Sequence, residues 1–127
     1  MSSSPLVAIV DDDQSIRDAT SNLLQSAGFL TATFADAESF LTSASAPRAA
    51  CLVADMRMPG LSGLQLHQQL IASGASIPTV LITAYPSDAT RLRAREAGID
   101  CCLAKPFAPD ELLECVRRAL AGATPKS

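Results

Sequence analysis

The chain has 127 residues, 48% of them hydrophobic, enough for one domain whose core needs neither disulfides nor a structural metal. A formal net charge of −3 excludes a global basic field of the kind that gathers nucleic acid. No apolar run approaches the roughly 18–20 residues that cross a bilayer, and Met1–Pro5 carry neither a basic region nor an apolar run, so neither a membrane span nor a signal peptide is expected.

Short apolar runs alternate with amphipathic stretches along the chain, the pattern of a parallel sheet covered by helices. Leu6–Val10 is the first expected strand, followed by Asp11, Asp12 and Asp13. Ile16, Ala19, Thr20, Leu23, Leu24 and Ala27 then share one helical face, Asp13 reads as the cap of that helix, and Gly28 as its stop. Leu30–Phe34 is the second strand; Ala37, Phe40, Leu41 and Ala44 repeat the helical period, and Pro47 closes it. Cys51–Ala54 is the third, stopped by Asp55 and the loop Met58-Pro59-Gly60-Leu61-Ser62-Gly63. Ser62 is a natural N-cap for the next helix, through Leu66, Leu70 and Ile71, with His67 at the border of its inner face as a packing residue. Pro78–Ile82 forms the fourth strand, ending at Thr83, before a helix from about Ser87 to Ala97 and a stop at Gly98. In that helix Arg91 and Arg95 lie four apart and Arg93 elsewhere, read as a solvated face rather than a docking stripe. Ile99–Ala104 is the fifth strand and runs into Lys105. The last helix starts at Pro109, carrying Leu112, Leu113, Val116, Ala119 and Leu120, and residues 122–127 form a tail.

Four cysteines, Cys51, Cys101, Cys102 and Cys115, fall in strand or helix patterns without C-x₂-C spacing, and one histidine cannot complete a usual zinc set. They read as reduced buried thiols, which points to the cytosol.

A doubly wound sheet binds ligands beyond the carboxyl ends of its strands, where strand order reverses. Here the first strand ends in Asp11 and Asp12, the third in Asp55, the fourth in Thr83 and the fifth in Lys105. A lone strand-end Asp is usually a cap or a solvated turn, and a lone Lys before Pro an exposed loop residue. Acid pair, acid, hydroxyl and Lys together at four strand ends are another matter. In the flavodoxin-like order 2-1-3-4-5 the first and third strands flank the switch point, so three carboxylates converge in one crevice. Such carboxylates repel one another unless a hard cation balances them, and Mg²⁺ takes carboxylate, carbonyl, water and phosphate oxygens. One carboxylate is then free to attack a phosphoryl group, with Lys105 neutralising its oxygens and Thr83 donating a hydrogen bond.

The motifs Val10-Asp11-Asp12-Asp13, Asp55-Met56-Arg57-Met58-Pro59-Gly60-Leu61-Ser62-Gly63, Ile82-Thr83-Ala84 and Lys105-Pro106-Phe107 resemble those of the receiver domain of bacterial two-component response regulators, over residues 5–121. The resemblance implies a flavodoxin-like doubly wound (βα)₅ fold with Asp55 as phosphoacceptor. It implies Mg²⁺ bound by Asp12 directly, by Asp11 through water, by Asp55, and by the backbone carbonyl of Arg57. Thr83 and Lys105 become the switch hydroxyl and the phosphoryl-binding lysine, Ala84 leaves room for the phosphoryl group, and a cis Lys105–Pro106 bond aims the lysine. The implied partners are a sensor histidine kinase or phosphotransfer protein and an output domain or protein, in the cytoplasm, with no nucleic acid or membrane bound by this chain. A phosphorylation-dependent dimer would use the fourth helix, fifth strand and fifth helix.

Two positions depart from the family. Cys102 stands where an aromatic three residues before the lysine is expected, so the hydroxyl-to-aromatic coupling lacks its partner; Tyr85 is the candidate to take over part of it, against the plainer reading of an exposed loop residue. Ala108 stands where an N-cap side chain is expected, a loss of about 1 kcal/mol for the last helix. Among enzymes, the competing reading is an aspartyl-phosphate phosphotransferase or phosphatase. Such an enzyme needs a second carboxylate two residues after the nucleophile, where this chain has Arg57. A phosphorylation-independent binding module would be expected to lack Asp12, Asp55 or Lys105, and all three are present.

Overall fold

Five parallel strands form one sheet in the order β2-β1-β3-β4-β5. The strands are β1 (Leu6–Val10), β2 (Leu30–Phe34), β3 (Cys51–Asp55), β4 (Thr79–Thr83) and β5 (Cys101–Ala104); the helices are α1 (Gln14–Ser26), α2 (Ala37–Leu41), α3 (Gly63–Ala72), α4 (Asp88–Glu96) and α5 (Pro109–Gly122). This computed structural model describes residues 5–43, 48–58, 60–75, 77–84, 87–99, 101–105 and 107–122. The expectations placed on Ala44, Pro47, Pro59, Tyr85, the Lys105–Pro106 bond and residues 123–127 lie outside the described residues.

Helices cover both faces, so the inner strands β1, β3 and β4 are buried along nearly their whole length, while the edge strand β2, with Thr31 and Thr33, is only partly buried. Ala8, Val10, Leu52, Ala54 and Leu81 point to one side and meet Phe40 of α2, Leu64, Leu66 and Leu70 of α3 and Ala94 of α4. Val7, Ile9, Cys51, Val53, Val80, Ile82 and Cys101 point to the other and meet Leu24 of α1 and Leu112, Cys115 and Val116 of α5. All four cysteines are free thiols, Cys102 half-buried and the others buried. Burial pushes the Cys51 thiol up to about 12.

The element boundaries differ from expectation by one to three residues, for local reasons. Helix α2 ends at Leu41 with Thr42 as its C-cap, short of the period expected through Ala44, and Gly122, expected in the tail, is the last residue of α5. Pro78 lacks an N–H and serves the sheet only as an acceptor, its carbonyl taking the Leu52 N–H at 2.9 Å, so β4 begins at Thr79. Ile99 belongs to the end of α4 rather than to β5. Gly98 turns at φ +88°, and the Ile99 N–H returns to the Ala94 carbonyl at 2.8 Å, closing the helix. On α1 the expected inner face is only partly covered. Thr20 and Leu24 are buried, but Ala19 is exposed, because it lies along an open apolar groove between α1 and the segment after β5, lined by Ile16, Ala19, Leu23, Lys105, Phe107 and Pro109. On α3, Leu66 and Leu70 are buried and Ile71 faces outward, 50% exposed.

Candidate functional site

Each strand end that carries chemistry is held by the ladder next to it. The Asp11 N–H donates to the Phe34 carbonyl (3.1 Å), extending β1–β2 pairing one residue past Val10. The Met56 N–H donates to Ile82 (2.7 Å) and the Lys105 N–H to Thr83 (2.8 Å), so β3, β4 and β5 end in register at the same edge of the sheet. Side chains leaving these ends therefore enter one crevice, at the point where β1 and β3 send their connections to opposite faces.

There the Lys105 ammonium lies 3.1 Å from Asp55 Oδ2 and 3.5 Å from Asp11 Oδ2. The other Asp55 oxygen accepts the Arg57 N–H at 3.2 Å. Asp11, Asp12 and Asp55 each bring a carboxylate oxygen within 4.8 Å of the others, Asp11 and Asp55 buried and Asp12 exposed. Thr83 is buried beside them at the end of β4. The acid pair, the third acid, the hydroxyl and the lysine expected from the sequence thus lie at one end of the sheet, and Arg57 follows in the loop after Asp55. Asp13 stands apart as the α1 cap, its carboxylate accepting from the N–H groups of Ser15 (2.9 Å) and Ile16 (3.2 Å).

Charge in the crevice is unbalanced. Burial is the main reason the Asp11 carboxyl sits above the usual carboxylate range; the Asp55 charge pushes the same way, against the Asp13 N–H and Lys105. Burial pulls Lys105 down, but its hydrogen bond to Asp55 and the fields of Asp11 and Asp55 outweigh that, so it lies above its ordinary value and stays cationic. One ammonium against three carboxylates leaves a negative surplus. An all-oxygen donor set open to solvent on the Asp12 side suits a hard divalent cation that retains water.

Two residues that matter here were not singled out from the sequence. Arg17 donates from Nη1 to the Asp11 carbonyl at 2.7 Å. Gly63 begins α3 directly against the Asp55 backbone: a Cβ there would stand 2.6 Å from the Asp55 carbonyl oxygen and 2.8 Å from Leu81 Cδ2. Arg17 stands one position from the inner-face spacing of α1, and backbone contacts leave no mark in a side-chain pattern. The glycine was visible only as a loop residue. Cys102 packs half-buried against the α3–α4 side of the core, with the Arg91 charge acting on its thiol, while burial raises that thiol. Arg91, Arg93 and Arg95 are all exposed.

Fold and site together define a doubly wound domain of the flavodoxin-like class with an acidic pocket at its switch point. A family model described as the response regulator receiver domain matches residues 7–117, and the chain belongs to that family, the receiver domains of two-component response regulators. The C4-dicarboxylate transport transcriptional regulatory protein DctD of Rhizobium meliloti (strain 1021) is 37% identical over 119 residues, covering 94% of this chain and 26% of DctD. The solved structure of the response regulator StyR superposes with a TM-score of 0.85 at 44% identity, covering 94% of this chain and 60% of StyR. That of FixJ-N gives 0.85 at 31%, covering 98% of this chain and all of FixJ-N. The chain therefore spans about a quarter of DctD and three fifths of StyR. Among the described residues, no helix is long and apolar enough to cross a membrane.

Proposed function

We propose that Asp55 is the phosphoacceptor and that Asp11, Asp12, Asp55 and the backbone carbonyl of Arg57 hold a Mg²⁺ ion. The observation that carries this reading is the meeting of three carboxylates within 4.8 Å of one another, with Lys105 bridging two of them. Bound there, the ion would balance the acidic cluster and draw charge from the phosphoryl oxygens. An Asp55 oxygen attacks phosphorus; the O–P bond forms as the donor's N–P bond breaks, and the leaving imidazole takes a proton from solvent. Lys105 exchanges its contact with Asp55 for a phosphoryl oxygen, and the Thr83 hydroxyl donates to another. Catalysis is confined to the domain's own phosphorylation and dephosphorylation.

The donor is a phosphohistidine on a sensor kinase or phosphotransfer protein, and the apolar groove between α1 and the segment holding Lys105 and Phe107 gives it a surface beside the site. The receiver unit runs from residue 5 to 121 and serves a transcriptional output, as the name of DctD suggests, through a separate domain or protein. Exposed Leu92 on α4 supports a phosphorylation-dependent dimer through α4, β5 and α5. Four free thiols fit a cytoplasmic setting.

Incubation with Mg²⁺ and a small acyl phosphate should add one phosphoryl group at Asp55, read by intact mass and peptide mapping, and omission of Mg²⁺ should prevent it. Asp55→Asn should fold and take no label; a labelled Asp55→Asn variant would place the nucleophile elsewhere.

A further inference from the structure

Asp12 is the least supported member of the acidic cluster. It is exposed, and among the described residues its carboxylate makes no hydrogen bond. Its position is set by the backbone on either side of it. That backbone is fastened twice. On the far side the Asp13 N–H donates to Asp11 Oδ1 at 2.9 Å, and Asp13 caps α1. On the near side, Arg17 donates to the Asp11 carbonyl at 2.7 Å, short enough for a charge-assisted bond. Arg17 can reach back because helical side chains lean toward the N-terminus, and its own N–H is tied to the Asp13 carbonyl at 3.0 Å. One residue of α1 thus grips the loop at both Asp11 and Asp13.

We propose that Arg17 is a positioning residue for the cation site, holding the Asp11–Asp13 loop so that the Asp12 carboxylate faces Asp11 and Asp55. The inference rests on the reading of those three carboxylates as a Mg²⁺ site. A guanidinium acting only as a nearby positive charge would weaken cation binding, and its loss would tighten it. A guanidinium acting through the Asp11 carbonyl would strengthen binding, and its loss would weaken it. The two roles differ in sign.

The test is Mg²⁺ titration followed by amide NMR shifts in the full chain, comparing the parent with Arg17→Met and Arg17→Lys. Residues that orient metal ligands alter affinity by about 10–100-fold, so Arg17→Met should raise the Mg²⁺ dissociation constant roughly 10-fold. Arg17→Lys can donate to the same carbonyl from a shorter reach and should recover part of that loss. Should Arg17→Met not fold, the Lys variant decides alone, with an affinity below the parent's expected. Unchanged or tighter Mg²⁺ binding in a folded variant overturns the proposal, even if the melting temperature has dropped. A parent that shows no Mg²⁺-dependent shifts overturns the cation-site reading and this inference with it.

Discussion

Gly63 shows how one missing methyl group sets the geometry of Asp55, the proposed nucleophile. The glycine occupies the first turn of α3, where alanine would gain up to about 1 kcal/mol from helix propensity. A Cβ at 2.6 Å from the Asp55 carbonyl must instead displace backbone, and overpacking of this kind costs about 1–3 kcal/mol. The clash wins. Gly63→Ala should destabilise the fold by about 1–2 kcal/mol in urea unfolding, and, because the displaced atoms belong to Asp55, slow its phosphorylation. An unchanged phosphorylation rate would mean that α3 moves away and β3 does not. At this scale the sequence shows ionisable groups and conceals contacts made by backbone. The roles proposed for Asp11, Asp55, Thr83 and Lys105 could be framed because strand-end side chains meet at a sheet's switch point whatever the loops do. The part assigned to Arg17 could not, since its partner is a carbonyl.

Between elements, His67 does more than pack. It is buried on α3, and its Nε2 lies 3.0 Å from the Ala97 carbonyl at the end of α4, which can only accept, so Nε2 carries the proton. Nδ1 lies 2.8 Å from Thr79 Oγ1 on β4, which is also 3.1 Å from the Ile77 carbonyl. With a neutral ring the threonine proton goes to Nδ1; protonation would turn it toward Ile77. These partners are 12 and 30 residues away, beyond the reach of any periodicity, which placed the ring inside but not its tethers. Burial holds His67 below its ordinary value, opposed by the Ala97 carbonyl. The unfolded chain then binds the proton near pH 6.5 and the folded chain only at lower pH. His67 stabilises the fold fully above that range, and the contribution is lost as pH falls through it, with a slope of at most about 1.4 kcal/mol per pH unit. It is the chain's single histidine. His67→Gln should therefore remove part of the stability loss between pH 7 and 5.5; equal losses in parent and variant would show that the ring does not titrate there. At α5 the expected missing cap is half made good. Glu111 reaches back to the Ala108 N–H at 2.8 Å, one arm of a capping box that lacks its hydroxyl arm. Ala108→Ser supplies that arm and should add about 1 kcal/mol, or roughly 3–5 °C in melting temperature. No gain would mean that Pro109 and Glu111 already satisfy this helix end.

For the molecule as a whole, the strand order was legible because apolar runs separated by helical periods leave few right-handed, un-knotted arrangements. The boundaries were less so, because where Pro78 and Ile99 stop serving the sheet depends on hydrogen bonds to residues far along the chain or in the preceding helix. The same sheet gathers three carboxylates and a lysine at one end and so builds charge repulsion into the folded state alone, since the unfolded chain disperses it. Anything that binds the cluster must then stabilise the whole fold by linkage. At Mg²⁺ concentrations about 100-fold above the dissociation constant, the stabilisation is about 2.7 kcal/mol. For a domain of this size that raises the melting temperature by roughly 10 °C, with a logarithmic dependence on concentration. Simple screening would also relieve the repulsion, but sodium at matched ionic strength does that equally well. Asp12→Asn separates the two effects: neutralising the exposed side chain relieves part of the repulsion and should raise the ion-free melting temperature, while the Mg²⁺-specific rise should be lost. If magnesium and sodium raise the midpoint alike, or if the Asn variant still responds to magnesium as the parent does, the stabilising ion is not held by this cluster.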